Sequence, residues 1–393
     1  MSETLDQIFV IVKHWLVSHT PAGWQLAVSV AISIVSILVV FPFLFAVTTV
    51  LERKGLGRIQ NRFGPNRVGP YGVLQPIADG LKAMTKEDIV PRAADRVVHF
   101  MAPLALVTPV FLLYAVLPFG RNMVVADFDA GVLFFFAVGA ATELSVFMAG
   151  WSSRNKYSLL GAMRAIAQMI SYEIPLILSA VVVVMIVGSL STVNIVAAQA
   201  GYTGWLPNWF VFTPWGFAGF VVFMIAATAE SNRSPFDLPE GESELIAGYY
   251  IEYSGFKFAL FFLGEYLGLF AISGLGITLF LGGWRAPLPF LQWVPSWCWF
   301  FTKLLALIAL FIWIRGTLPR LRMDQLMNFA WKLMLPMALL NILNAAVWHF
   351  MLPAPAPARW AACSLLIIVP YVWLGRGLMA RKNIEKRTYR FAE

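Results

Sequence analysis

HWLVSHTPAGWQLAVSVAISIVSILVVFPFLFAVTTVL, residues 14–51, contains no Lys, Arg, Asp or Glu. A helix that crosses a bilayer needs about 20 mainly apolar residues, and this stretch exceeds that length. The same character recurs outward along the chain. It predicts spans at about 24–50, 97–120, 130–153, 160–189, 211–229, 254–281, 296–314, 333–352 and 360–375. Residues 174–229 are uncharged throughout, too long for one span, and break around Gly201–Trp205 and Pro207. Composition agrees: 59% of residues are hydrophobic and 13% charged, where soluble domains carry about 25% charged residues. The expected fold is all-α, a polytopic transmembrane helical bundle of about nine spans forming a single membrane domain over 1–393.

The net charge of +8 is explained by where the charges sit. When the loops are assigned alternately to the two sides, 24 of the 29 Lys and Arg residues fall on one side. The other side holds Lys13, Arg121, Arg285, Lys303 and Arg359. By the positive-inside rule, the N-terminus is expected to be periplasmic and the C-terminus cytoplasmic, in a bacterial inner membrane or its organellar equivalent. This leaves no basic surplus that calls for nucleic acid. Residues 1–23 begin with Glu3 and Asp6, unlike a signal peptide. Ile8, Phe9, Ile11, Val12, Trp15 and Leu16 fall at helical spacing and predict a short interfacial helix.

The two cysteines, Cys298 and Cys363, are far apart, and the four histidines are scattered. No C-x-x-C spacing exists, so an Fe–S cluster, a zinc site or a haem pair within this chain is not expected. Any metal used in redox chemistry belongs to partners.

Two loops break the simple pattern. In 51–96, Glu52-Arg53-Lys54 is followed by Gln60-Asn61-Arg62-Phe63-Gly64-Pro65-Asn66-Arg67-Val68-Gly69-Pro70. Five glycines and two prolines between 55 and 72 predict tight turns. Val73, Ile77, Leu81 and Met84 then form an apolar stripe opposite Gln75, Asp79, Lys82 and Lys86, as in a helix lying on the membrane surface. Two readings stand: a basic loop that binds headgroups, or a docking platform at the lip of a lipid-accessible site. The second loop, 230–253, holds Glu230, Asp237, Glu240, Glu242, Glu244 and Glu252 against one base, Arg233. Crowded carboxylates repel and share protons. Pro235, Phe236, Leu238, Pro239, Leu245 and Ile246 argue for a packed loop over a merely solvated one.

Glu143, Glu173 and Glu265 lie inside the third, fourth and sixth spans. A charge at bilayer depth costs roughly 2.5–3.5 kcal/mol on insertion scales, so each is expected to face the bundle interior, a partner or water. Pairing, for instance of Glu173 with Arg164, is the structural alternative. A proton-accessible track is the functional one.

These motifs resemble those of a known family. Glu52-Arg53-Lys54, the run from Gln60 to Pro70, Asp79-Gly80-Leu81-Lys82, and Ala229-Glu230-Ser231-Asn232-Arg233-Ser234-Pro235-Phe236-Asp237-Leu238 through Glu240, Glu242, Glu244 and Gly248-Tyr249 are similar to the quinone-site membrane subunit of proton-pumping NADH:quinone oxidoreductase, respiratory complex I. That subunit is called H in bacteria and 1 in mitochondria. The resemblance runs from the first span through at least the eighth. The family core has eight spans, so the ninth span and basic tail, 353–393, look like an extension of the bacterial type.

The resemblance implies a quinone entrance between the first span, the surface helix and the sixth span, with Glu52, Arg53, Arg62, Phe63, Asp79 and Phe236 as quinone-binding residues. It implies proton coupling through Glu143, Glu173, Glu230, Asp237, Glu240, Glu242, Glu244, Glu252 and Glu265. No cofactor is expected on this chain alone. Flavin and Fe–S clusters would sit on hydrophilic-arm partners, with antiporter-like subunits alongside in the membrane arm. Three rivals remain: the related subunit of a membrane-bound hydrogenase, a structural anchor for a peripheral redox arm, and a stand-alone carrier. The last calls for inverted repeats, which the chain does not display.

Overall fold

The computed structural model describes residues 5–238, 246–351 and 357–379. Among the described residues, eight helices are long and apolar enough to cross a membrane. A ninth apolar helix, Pro214–Glu230, has 17 residues and occupies the place of the expected fifth span. The chain is therefore a polytopic helical membrane bundle, and the only pairing of strands among the described residues is Tyr202–Thr203 with Leu206–Pro207.

After a short helix Ile8–Ser18, with no buried residue, the first span runs from Gln25 to Ile59. This is longer than the charge pattern suggested. Glu52, Arg53 and Lys54 are on its last turns and not in a loop, and Gly55 and Gly57 are helical. The reason is close packing. A Cβ on Gly57 would come within 3.0 Å of the Arg62 carbonyl and the Gly64 nitrogen. Glycine here serves the fold-back of the following loop instead of breaking the helix. The surface helix Gln75–Thr85 follows, starting with Pro76 in its first turn and exposing Ile77, Leu81 and Met84.

The second span is Arg96–Leu113, capped by Asp95, whose Oδ1 accepts from the amides of Val97 and Val98 at 3.2 and 3.3 Å. The third is split into Gly131–Gly139 and Ala141–Ser152. The fourth, Lys156–Val187, starts at an Asn155 cap and ends at left-handed Gly188. The sixth is Gly255–Phe280 and the seventh Ser296–Thr317. The eighth begins at Met323, ten residues before the expected start, because Asp324 and Lys332 are carried on a helical turn. It includes a π-helical stretch, Ala330–Met334. The ninth is Pro357–Met379.

Within lipid, apolar burial alone does not hold helices together; close packing and interhelical hydrogen bonds do. The sixth span is central, with 61% of its apolar window buried, and the ninth is peripheral, with 6%. Tyr114 donates to the Leu267 carbonyl at 2.6 Å, and Tyr172 to the Leu326 carbonyl at 3.0 Å. Gln168 Nε2 reaches the carbonyls of Ala229 and Phe236, each at 2.7 Å, and pins the start of the acidic loop to the fourth span. At the opposite end of the bundle, Lys303 Nζ donates to the carbonyls of Leu281, Gly283 and Arg285 at 2.7, 2.8 and 2.7 Å, closing the loop after the sixth span.

Candidate functional site

Four separate segments meet at Glu52. Its carboxylate is 5% exposed. It accepts from Arg233 Nη1 at 3.1 Å, from the Tyr266 hydroxyl at 2.7 Å, and from Arg315 Nη1. The first span contributes the acid, the loop after the fifth span one guanidinium, the last turn of the seventh span the other, and the sixth span the phenol. The Arg233 guanidinium also sits 4.0 Å above the Tyr266 ring. Burial works against the charge of Arg233, but the fields of Tyr266 and Glu52 more than offset it and hold the side chain protonated. Two cations share one carboxylate, and the acids Asp237 and Glu265 border the same small cavity.

Outside this cluster, Arg53 is exposed and donates to Asp79 Oδ2 at 2.6 Å, tying the end of the first span to the surface helix. Gln75 and Lys82 also donate to Asp79, at 3.2 and 3.3 Å. Burial raises the Asp79 pKa, but these bonds, Arg53 foremost, outweigh it and hold the carboxyl below the usual range.

Inward of the cluster lie two cavities with a common wall. The smaller, about 20 Å³, is bounded by Arg233, Asp237, Arg315, Asn232 and Glu265. The larger, about 70 Å³, is bounded by Asn232 and Glu265 again, with Glu173, Glu230, Tyr249 and Thr142. A water needs roughly 10–15 Å³ of such space and two to four polar partners, so both can be hydrated. Tyr249 donates to Glu265 Oε1 at 2.9 Å. Glu143 and Glu173 are in side-chain hydrogen-bond contact, and Glu230 lies in the field of both. A hydrogen bond between two carboxyl groups needs a proton on one of them. Acids from three spans are thus set against one another.

The sequence-expected residues separate into groups. Glu52 is in the cluster, and Arg53 with Asp79 forms the adjoining tie. Arg62 and Phe63 are exposed on the loop, Phe63 at 83%. Phe236 is buried against Tyr172, ring centroids 5.2 Å apart. Glu143, Glu173, Glu230, Asp237 and Glu265 line or adjoin the cavities. Glu252 accepts from Asn155 Nδ2 at 2.6 Å, beside the start of the fourth span. Glu240, Glu242 and Glu244 lie outside the described residues. Sequence reading did not single out Arg315, Tyr266, Tyr249 or Asn232 as site residues. Arg315 and Tyr266 stand 263 and 214 residues from Glu52. The one signal for them was a requirement: a carboxylate near the end of an apolar span needs a partner.

The sequence pattern of the NADH dehydrogenase family matches residues 32–346. The H subunit of NADH-quinone oxidoreductase from Geobacillus kaustophilus is 47% identical over 344 residues, 86% of this chain and 100% of that protein. The corresponding subunit from Dehalococcoides mccartyi is 51% identical over 296 residues, 75% of this chain and 80% of its own. A relative of the same name from Geobacillus thermodenitrificans is 48% identical over 337 residues, covering 85% and 98%. With its bundle of apolar spans, this integral membrane protein belongs to the family of the NADH-quinone oxidoreductase H subunits.

Proposed function

We propose that this chain forms the quinone entrance and lower quinone chamber of its complex, and couples quinone reduction to proton translocation through the carboxylates of the bundle. The observation that carries the reading is the wall shared by the two cavities. Asn232 and Glu265 lie between the Glu52–Arg233–Arg315 cluster and the Glu230–Glu173–Glu143 group. A charge change at the cluster therefore has a short, hydratable route to acids inside the spans.

The entrance lies between the end of the first span, the surface helix and the start of the sixth span. Exposed Ile77, Leu81 and Met84 give the surface helix an apolar face for lipid, and Arg53–Asp79 fixes its angle to the first span. Reduction of a quinone takes up two electrons and two protons and creates transient negative charge. The guanidiniums of Arg233 and Arg315 beside Glu52 attract it. Any reorientation of Arg233 or Arg315 alters the field at Glu265, across a medium that screens poorly. Protons then redistribute among Glu265, Glu230, Glu173 and Glu143, with Asp237, Glu240, Glu242, Glu244 and Glu252 as the loop's further acids. The residues Arg62, Phe63 and Phe236 support the loops that shape the entrance. Electrons come from flavin and Fe–S clusters on hydrophilic-arm subunits, and the protons leave toward antiporter-like membrane subunits. The basic loops face the cytoplasm.

The test is NADH-driven reduction of a short-chain quinone in membranes carrying Arg53→Ala, with assembly checked on a native gel. The expected result is weakened quinone reduction with electron transfer to a hydrophilic artificial acceptor retained. Unchanged quinone kinetics in an assembled complex would point to a structural anchor instead.

A further inference from the structure

A third cavity, of about 410 Å³, opens between the fifth, eighth and ninth spans, within the 300–1,000 Å³ typical of small-molecule sites. It shares no residue with the two carboxylate cavities. Its walls are apolar: Phe217 and Val221 on the fifth span, Leu333 and Met337 on the eighth, Ile368 and Tyr371 on the ninth. The ninth span is peripheral, so the cleft is reached sideways from the bilayer.

Three polar side chains interrupt this lining: Ser364 and the exposed Tyr371 lie on the peripheral ninth span, and Asn341 is the buried one. Asn341 is 2% exposed, and its Nδ2 donates to the Trp215 carbonyl at 3.0 Å. That bond fixes the amide's direction, because the reversed amide would set oxygen against oxygen. The atom left over is Oδ1, a buried acceptor with no hydrogen-bond partner among the described residues. In an apolar setting an unmet acceptor is costly. The wall beside it includes the π-helical stretch Ala330–Met334, and π-turns recur at functional sites.

The free acceptor sets the chemistry of an occupant: an apolar body bearing an O–H or N–H donor. Phospholipid chains bring only ester carbonyls to this depth, and an oxidised quinone likewise presents acceptors. A quinol presents two hydroxyl donors on an apolar body, and the family's complex delivers quinol to this bilayer. We propose that this cleft is a quinol-binding site, selective for the reduced form, in which a hydroxyl donates to Asn341 Oδ1. Met334 and Met337, unbranched and adaptable, move aside to admit the head to the cleft floor. The inference rests on the chain's membership of a quinone-reducing complex and not on the entrance proposed above.

The test uses the intact complex in lipid nanodiscs and a photoreactive short-chain quinone analogue, applied either oxidised or reduced with excess dithionite. Crosslinked peptides are mapped by mass spectrometry. The expected result is labelling of 214–225 and 364–371 that favours the reduced probe roughly five-fold, the worth of one neutral hydrogen bond. Asn341→Leu should abolish that preference. Ala218→Phe, which fills the cleft, should remove the labelling while leaving that of the surface helix. Equal labelling by both redox forms of the wild type, displacement by phosphatidylglycerol, or no labelling of these peptides overturns the proposal. The wild-type comparison stands even if a variant fails to assemble. Cleft labelling without any at the surface helix counts against the entrance reading alone.

Discussion

Glu52 and Glu173 are both glutamates on spans of the same bundle, and their surroundings are opposite. Glu52 has two guanidiniums and a phenol directed at it. Glu173 has another acid, Glu143, in hydrogen-bond contact, and a third, Glu230, close enough to interact electrostatically. The first arrangement fixes a charge. The second sets acids against one another, and a hydrogen bond between two carboxyl groups needs a proton on one of them. The contrast is between an acid held by fixed cations and an acid set against other acids.

The largest expected effect comes from dismantling the cation-held group. Glu52→Gln takes the nearest counter-charge from buried Arg233 and half-buried Arg315, and removing one partner of a buried ion pair costs about 3–5 kcal/mol. The complex should assemble poorly and melt earlier on a thermal native gel. The double variant Glu52→Gln with Arg315→Gln should recover part of the loss, as coupled partners do. A single variant that melts like the wild type would remove the distinction drawn here.

Among the opposed acids, Glu173→Gln should be tolerated structurally, because an amide still donates to Glu143. Stability should change by no more than about 1 kcal/mol, while NADH-driven proton uptake by reconstituted vesicles should fall. Full pumping in an assembled variant would show that the shared proton plays no part in coupling.

Tyr249→Phe probes the boundary between the two groups. It removes the 2.9 Å bond to Glu265 and should cost about 1 kcal/mol, with a larger proportional effect on proton uptake than on NADH oxidation by an artificial acceptor. Equal loss in both assays would mean that the bond is only structural.

The smallest effect belongs to the Arg53–Asp79 tie, which is solvent-exposed. Asp79→Asn should leave assembly intact and change the KM for quinone by at most about five-fold, the equivalent of one surface ion pair. Because the folded-state pKa of Asp79 is depressed, its contribution is complete above the unfolded value and is lost only as pH falls through the folded one. The KM difference between wild type and variant should therefore stay constant above about pH 5 and shrink below it. A difference that varied between pH 6 and 8 would assign the effect to another group.

Much of the architecture was legible in the residue order, and the exceptions are instructive. Charge-free runs located the spans, because a bilayer admits so few charges. The same rule misjudged two helix ends. The first span continues through Glu52, Arg53 and Lys54 because Arg233 and Arg315 meet the acid and Asp79 meets Arg53. The eighth starts early because a helical turn carries Asp324 and Lys332. Gly55 and Gly57, read as turn residues, are helical where another backbone or side chain approaches closely. Periodicity reports which face is apolar, not which neighbour covers it.

The class of this protein, the places of its spans and the presence of acids where acids are expensive were all written in the order of its residues. They follow from the one-dimensional balance of apolar length against charge, which the bilayer reads locally. Which acid is clamped by cations, and which are set against one another, emerged with the folded bundle. Those properties depend on partners brought from up to 263 residues away, and electrostatic environment is set by distance in space and exclusion of water.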